Sequence, residues 1–230
     1  MNVAVIPARS GSKRIPHKNI KEFCGKPIIT WPISEAQKSG LFDHIIVSTD
    51  DQEIAELCRS CRAEVPFIRP RELSGDHTSI SEVMSHSVKW MKEQDLHPEA
   101  VCCIFPTSVF LIKDDLEKGF EALKRGNWQF TFSVTDFEYP IFRSFKVLEN
   151  GGVEMFFPEN FEKRSQDLPV AFHDAAQFYW GKPDAWLKNL KMFDQHSFPL
   201  KIPRWRIQDI DSEDDWVRAE FIFENLRKQL

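Results

Sequence analysis

Residues Asn2–Asn19 read N-V-A-V-I-P-A-R-S-G-S-K-R-I-P-H-K-N. The opening, Asn2–Pro7, is a short apolar run with no helical period, which reads as a buried first strand. A polar loop follows at once, Ala8–Asn19, with Arg9, Lys13, Arg14 and Lys18 inside ten residues. In an open parallel sheet, ligands gather beyond the carboxyl ends of the strands, so this loop is the first place to expect a site. Ser10, Gly11 and Ser12 leave backbone N–H groups accessible while the cations converge, and phosphate oxygens take both dipoles and full charges. The loop lacks the Gly-Lys-Ser/Thr ending of a Walker P-loop and the G-x-G-x-x-G spacing of a dinucleotide fold. A solvated basic turn is the plain alternative for such a charge run. Its place directly behind a buried strand favours the phosphate reading.

Downstream, apolar runs alternate with helical patterns. Ile28–Ser39 has helical spacing and stops at Gly40, and His44–Thr49 is a second strand. Asp50 and Asp51 start a helix over Gln52–Arg62, and Ser79–Glu93 is another. Val101–Phe105 is a strand, Asp114–Lys124 a helix and Phe130–Thr135 a strand. This tempo marks βαβ units, which close into an α/β, doubly wound, mostly parallel layer. The alternation stops over 137–168, where Pro140, Pro158, Gly151-Gly152 and the aromatics Phe142, Phe145, Phe156 and Phe157 stand. Such an irregular, aromatic insertion reads as an active-site lid or a dimerisation arm. Gln177–Gly181 and Leu200–Ile207 are expected as further strands, and Glu213–Leu226 as a closing helix. One domain spans 1–230, with no internal repeat.

Composition narrows the partners. A net charge of −5 argues against nonspecific nucleic-acid binding, which needs a broad basic face, but leaves room for a local basic pocket. No apolar run nears the ~20 residues of a membrane span, and the N-terminus lacks a signal-peptide pattern. A cytoplasmic enzyme is the expectation. Five cysteines, an odd number, suggest no disulfide framework. Cys58 and Cys61 form a lone C-x-x-C without a second pair, so inert thiols are expected rather than a zinc site.

Near the other end, Gln208–Asp215 reads Q-D-I-D-S-E-D-D. On an extended segment Asp209 and Asp211 lie on one side. Two hard oxygen ligands at that spacing suit Mg²⁺ shared with substrate phosphates. The plain alternative is helix capping, with Asp211 or Ser212 before the helix at Glu213. Both roles are compatible.

Taken together, several motifs resemble the CMP-sugar synthetases that activate acidic nine-carbon (nonulosonic) sugars. They are V-I-P-A-R-S-G-S-K-R-I-P-x-K-N, F-D-H-I-I-V-S-T-D-D (Phe42–Asp51), R-P-x-E-L (Arg69–Leu73), F-P-T-S (Phe105–Ser108) and Q-D-I-D-S-x-x-D-W (Gln208–Trp216). The resemblance covers nearly the whole chain. Arg164–Trp180, R-S-Q-D-L-P-V-A-F-H-D-A-A-Q-F-Y-W, is similar to the pseudaminic acid cytidylyltransferase branch. The sialic acid enzymes have an Arg-Pro-Asn-Gly type run where this chain has His173–Ala176. They usually carry Gln at Phe105, and Pro-Leu-Arg at Val109-Phe110-Leu111.

The resemblance implies a Rossmann-like nucleotidyltransferase fold, a homodimer built through the insertion, and Mg²⁺ dependence. It implies that CTP and pseudaminic acid give CMP-pseudaminic acid and pyrophosphate, by attack of the anomeric hydroxyl on the α-phosphorus. Alternatives are another acid (sialate, legionaminate or KDO) or a catalytically inactive nucleotide-binding protein of the same fold. Carried over by position, Arg9, Ser10, Gly11, Ser12, Lys18 and Asn19 contact the nucleotide and its phosphates, and Arg69, Thr78 and Thr107 line the cytidine side. Asp209 and Asp211 hold the metal. Lys18 and Arg9 stabilise charge on the phosphates, and Asp211 also orients or deprotonates the sugar hydroxyl. Arg164 is a candidate for the sugar carboxylate. Gln166, His173, Asp174, Gln177 and Tyr179 complete the expected sugar pocket.

Overall fold

Side chains along the first strand point alternately to two different helical layers, and this splits the core in two. The structure is a computed structural model and describes residues 1–227. In chain order come β1 (Asn2–Pro7), a small hairpin of β2 (Glu22–Phe23) and β3 (Lys26–Pro27), α1 (Thr30–Ser39), β4 (His44–Ser48) and α2 (Gln52–Ser60). Then follow α3 (Ile80–Glu93), β5 (Ala100–Ile104), α4 (Lys113–Arg125) and β6 (Phe130–Asp136). A second hairpin, β7 (Phe145–Val147) and β8 (Val153–Met155), precedes β9 (Phe172–Gly181), α5 (Pro183–Leu187), β10 (Ser197–Lys201) and α6 (Glu213–Arg227).

The main sheet has the order β10-β6-β9-β5-β1-β4. Strand β1 pairs in parallel with β4 and β5, and β10 in parallel with β6, while β9 runs antiparallel between β5 and β6. Val3 and Val5 of β1 pack with Met84, Val88 and Met91 of α3. Ala4 and Ile6 pack on the other face with Ile33 and Ala36 of α1 and Leu116 and Leu123 of α4. The sheet is therefore mixed and doubly wound, as the alternation of runs implied.

Element ends follow local chemistry. Gly40 closes α1 with φ +62, a left-handed conformation that glycine adopts without a Cβ penalty. The Asp51 carboxylate accepts from the Ile54 N–H at the start of α2, and Ser79 with Glu82 forms a capping box on α3. Most expected boundaries move by one to three residues, and two strands differ more. Strand β9 starts at Phe172, ahead of Gln177. Strand β10 ends at Lys201, and Arg204–Arg206 form a 3-10 turn instead of continuing it. Ile202 still donates to the Val134 carbonyl, but Pro203 has no N–H for the next rung.

Over 137–168 the chain makes the β7–β8 hairpin and short 3-10 turns. Phe145 and Phe156 are exposed, whereas Phe142 and Phe157 are half-buried against each other, ring centroids 5.4 Å apart. A third apolar cluster lies at one end of the molecule. It joins Ile15 of the basic loop, Phe23 of β2, Ile28 just after β3, Ile210, and Trp216, Ala219 and Phe223 of α6.

Candidate active site

That third cluster explains how two polar segments far apart in sequence meet. Ile15 sits between Arg14 and Lys18, Ile210 sits between Asp209 and Asp211, and both isoleucines are fully buried in it. With each apolar residue turned inward, its charged neighbours face the same space. Lys18 Nζ donates to the Ile210 carbonyl at 2.6 Å and lies 3.3 Å from the Asp211 carboxylate. Arg14 reaches the same carboxylate at 2.8 Å. Ser212, not Asp211, caps α6: its hydroxyl accepts from the Asp215 N–H while the Asp215 carboxylate accepts from the Ser212 N–H. Asp211 is thereby left to the site.

The space is a cavity of about 560 Å³ at the carboxyl ends of β1 and β5, within the usual range for small-molecule sites. Arg9, Ser12, Lys18 and Asn19 line it, with Arg69, Thr78 and Thr107 and the pair Asp209 and Asp211. Ser10 and Gly11 do not line it. The N–H and hydroxyl of Ser10 both donate to the Asp50 carboxylate, at 2.9 and 3.0 Å, which fixes the start of the loop. Asn19 is buried, and its amide donates to the Arg9 carbonyl at 2.8 Å, folding the loop back on itself.

Arg69 is buried. Its guanidinium donates to the Ser48 carbonyl and the Ser74 hydroxyl, both at 3.3 Å, and burial lowers its pKa from the ordinary value. At the mouth, Asp76 pairs with Lys13 at 2.5 Å and with Arg9 at 2.7 Å. Hydrogen bonds from Lys13 and then Arg9 hold its carboxyl below the usual carboxylate range. Among the described residues the four loop cations thus form ion pairs with two carboxylates, Asp76 and Asp211, an excess of positive charge that suits a polyanion.

Asp209 has no ion pair among the described residues. Partial enclosure and, next, the neighbouring Asp211 charge raise its pKa from the ordinary value. Two carboxylates crowded in this way are a donor set for a hard divalent cation. No group of three His, Cys, Asp or Glu suited to a metal occurs among the described residues. An ion held by Asp209 and Asp211 would therefore complete its shell with phosphate oxygens and water, as Mg²⁺ usually does.

None of Arg164, Gln166, His173, Asp174, Gln177 and Tyr179 lines this cavity. Arg164 is exposed and pairs with Asp167 through Nε at 2.7 Å, and Gln166 is exposed beside it. The His173 ring meets the Asp174 carbonyl at 2.9 Å. The Gln177 amide donates to the Arg206 carbonyl at 2.8 Å, and Tyr179 donates to the Asp174 carboxylate. From this run the cavity is reached by Ala176. Asp50 and Asp76 were not foreseen. Asp76 stands alone in a polar loop that offers no pattern, whereas Asp50 had a signal: one aspartate suffices to cap α2, so the second was spare.

A family model described as "Cytidylyltransferase" matches residues 3–212. The chain is 40% identical over 222 residues to the pseudaminic acid cytidylyltransferase of Campylobacter jejuni subsp. jejuni serotype O:2, covering 96% of each. It is 32% identical to N-acylneuraminate cytidylyltransferase A of Danio rerio, over 94% of this chain and 49% of that one. Among solved structures, a CMP:2-keto-3-deoxy-manno-octonic acid synthetase complexed with CTP superposes with a TM-score of 0.70. Its identity is 15%, with 100% of this chain and 99% of that one covered. A 4-diphosphocytidyl-2C-methyl-D-erythritol synthase from Anaerococcus prevotii superposes at 0.61 with 14% identity, over 97% of this chain and 98% of that one. At those identities the two structures speak for the fold.

Proposed function

The chain belongs to the cytidylyltransferase family, and from that premise we propose that it joins CMP to pseudaminic acid, releasing pyrophosphate from CTP. The observation that carries the chemistry is the meeting of Arg9, Lys13, Arg14 and Lys18 with Asp209 and Asp211 around one cavity. The observation that favours the sugar is the 40% identity, nearly end to end, with the C. jejuni enzyme.

In this reading Arg69, Thr78 and Thr107 hold the cytidine side, and Arg9, Ser12 and Lys18 the phosphates, with Asn19 shaping the loop. Ser10, tied to Asp50, and Gly11 shape the loop that presents Ser12. The anomeric oxygen of the sugar forms a bond to the α-phosphorus, and the bond to the bridging oxygen of pyrophosphate breaks. Asp211, fixed by Lys18 and Arg14, orients the hydroxyl and takes its proton. Lys18 and Arg9 neutralise charge developing on the phosphate oxygens, and most of the acceleration comes from this positioning and charge. Asp209 and Asp211 are the residues that would hold Mg²⁺, which supplies charge neutralisation at the phosphates when bound. The segment Arg164–Tyr179 is assigned to the sugar side, the insertion 137–168 to homodimerisation, and the enzyme to the cytoplasm.

The decisive experiment incubates the protein with CTP, Mg²⁺ and, separately, pseudaminate, legionaminate, N-acetylneuraminate and KDO, following pyrophosphate release. Preference for pseudaminate is expected. Preference for another acid overturns the sugar assignment, and no release with any acid overturns the enzyme itself.

A further inference from the structure

Strand β9 departs from regular pairing where it meets the cavity. Its register against β6 shifts between Phe132 and Val134: β6 advances by those two while β9 runs from Tyr179 to Asp174. The surplus residues of β9 bulge, and among them Ala176 has φ +48. That left-handed conformation is disfavoured for any residue with a Cβ, so the surroundings must enforce it.

The enforcing group is Asp174. One carboxylate oxygen accepts from the Ala176 N–H at 2.8 Å, and the other accepts from the Tyr179 hydroxyl. Tyr179 is buried, and burial together with the Asp174 charge raises its pKa, so the phenol keeps its proton and donates. Opposite the bulge, the Ser133 hydroxyl accepts from the Gln177 and Phe178 N–H groups at 3.3 and 3.4 Å. The distortion is thus hydrogen-bonded on both sides, which marks it as a built feature.

Its place in the sheet gives it a role. Across the strands β9, β5, β1 and β4, Ala176 lines the β9 end of the cavity, and Arg69, bonded to the Ser48 carbonyl, lines the β4 end. The nucleotide half and the bulge are therefore at opposite ends of one cleft. Beside Ala176 stands Phe105, whose N–H donates to the Gln177 carbonyl and whose ring packs on Tyr179 at 5.0 Å.

We propose that Asp174 is a positioning residue: it clamps Ala176 in the left-handed conformation, and Ala176 with Phe105 forms the wall against which the acceptor sugar is seated. Asp174 does not itself touch the sugar, since both its oxygens are committed and its side chain does not line the cavity. The proposal rests on the reading of the cleft as a sugar-acid cytidylyltransferase site.

The test exploits the one residue that accepts positive φ without help. Asp174→Ala should raise KM for the sugar acid about tenfold or more while KM for CTP stays within about twofold, because only the acceptor wall moves. Adding Ala176→Gly removes the Cβ that made the clamp necessary, so the double variant should return to within about threefold of wild type. A loss that persists in the double variant, or an equal rise in both KM values, overturns the proposal. Tyr179→Phe, alone and with Ala176→Gly, repeats the test in a milder background should Asp174→Ala fold poorly. Thermal unfolding of the same proteins needs no substrate: Asp174→Ala should lower Tm less in the Ala176→Gly background than in wild type, the part due to the orphaned Tyr179 hydroxyl persisting in both, and an equal loss in the two backgrounds overturns the clamp. Wild-type protein that releases no pyrophosphate with any acid sinks the functional reading, and the Tm comparison then decides the clamp by itself.

Discussion

Among the loop cations, Lys18 is tied most closely to the acidic segment, through a 2.6 Å bond to the Ile210 carbonyl as well as its approach to Asp211. Its side chain is only 20% exposed, in contrast to Lys13 at 81%, so its charge is the less screened by water. Replacing Lys18 by Ala should lower kcat ~100-fold, the scale of losing one preorganised oxyanion donor. Steady-state pyrophosphate release measures this, and near wild-type turnover would restrict Lys18 to a structural role. That the loop cations gather at one cavity was legible in the sequence, because they follow directly on a buried strand whose carboxyl end is where an open sheet leaves a cleft. Their counter-charges were not. Asp50 and Asp76 lie 40 and 67 residues from the loop groups they bind, and no local period connects them.

The starts of α2 and α3 were legible, because Asp51 and Ser79 announce them through caps with a fixed geometry, whereas α1 and α4 begin without a side-chain cap. Strands fared less evenly: the polar pair His173 and Asp174 hid the start of β9, and the Leu200–Ile207 run looked continuous although Pro203 interrupts it. Packing between elements was not legible at all, and Gly119 of α4 shows why. A Cβ there would fall 2.7 Å from Phe178 Cε2 and 2.9 Å from Trp180 Cδ1, both on β9. Gly119→Ala gains ~1 kcal/mol in helix propensity, but overpacking a tight core costs ~1–3 kcal/mol. A net loss of up to about 2 kcal/mol is expected, read from denaturant unfolding; a stabilised variant would show that α4 can move off the sheet. Farther along the sheet, Asp136 of β6 pairs with Lys201 of β10 at 3.1 Å, and this bond chiefly holds its carboxyl below the ordinary range. A carboxyl with a lowered folded pKa contributes stability above its unfolded value near ~3.9, and that contribution is lost as pH falls through the folded value. The stability difference between wild type and Asp136→Asn should therefore be present at neutral pH and fade on acidification below about 4. A difference independent of pH would assign the effect to packing.

At the scale of the whole molecule, the insertion is the part that this chain does not cover by itself. Phe145 and Val147 of β7, Val153 of β8 and the adjacent Phe156 are 57, 72, 62 and 58% exposed. An isolated two-stranded hairpin is marginal in water, and among the described residues β7 and β8 pair only with each other. The sequence showed where the βα alternation breaks, since prolines and a Gly-Gly turn interrupt it. It could not show that Phe142 and Phe157 would turn toward each other while Phe145 and Phe156 stay outside. In the homodimer proposed above, a second copy of the chain would supply the complementary apolar face by symmetry, because an isologous contact sets the same patch on itself. Light scattering on purified protein should then give about twice the 26.9 kDa chain mass. Phe145→Asp combined with Val153→Asp places charges on both strands of the hairpin and should shift the protein to the monomer mass. The Tm of that variant should become independent of protein concentration, as linkage between assembly and stability requires. A wild-type monomer at micromolar concentration, or a charged variant that remains dimeric, would remove the insertion from the interface.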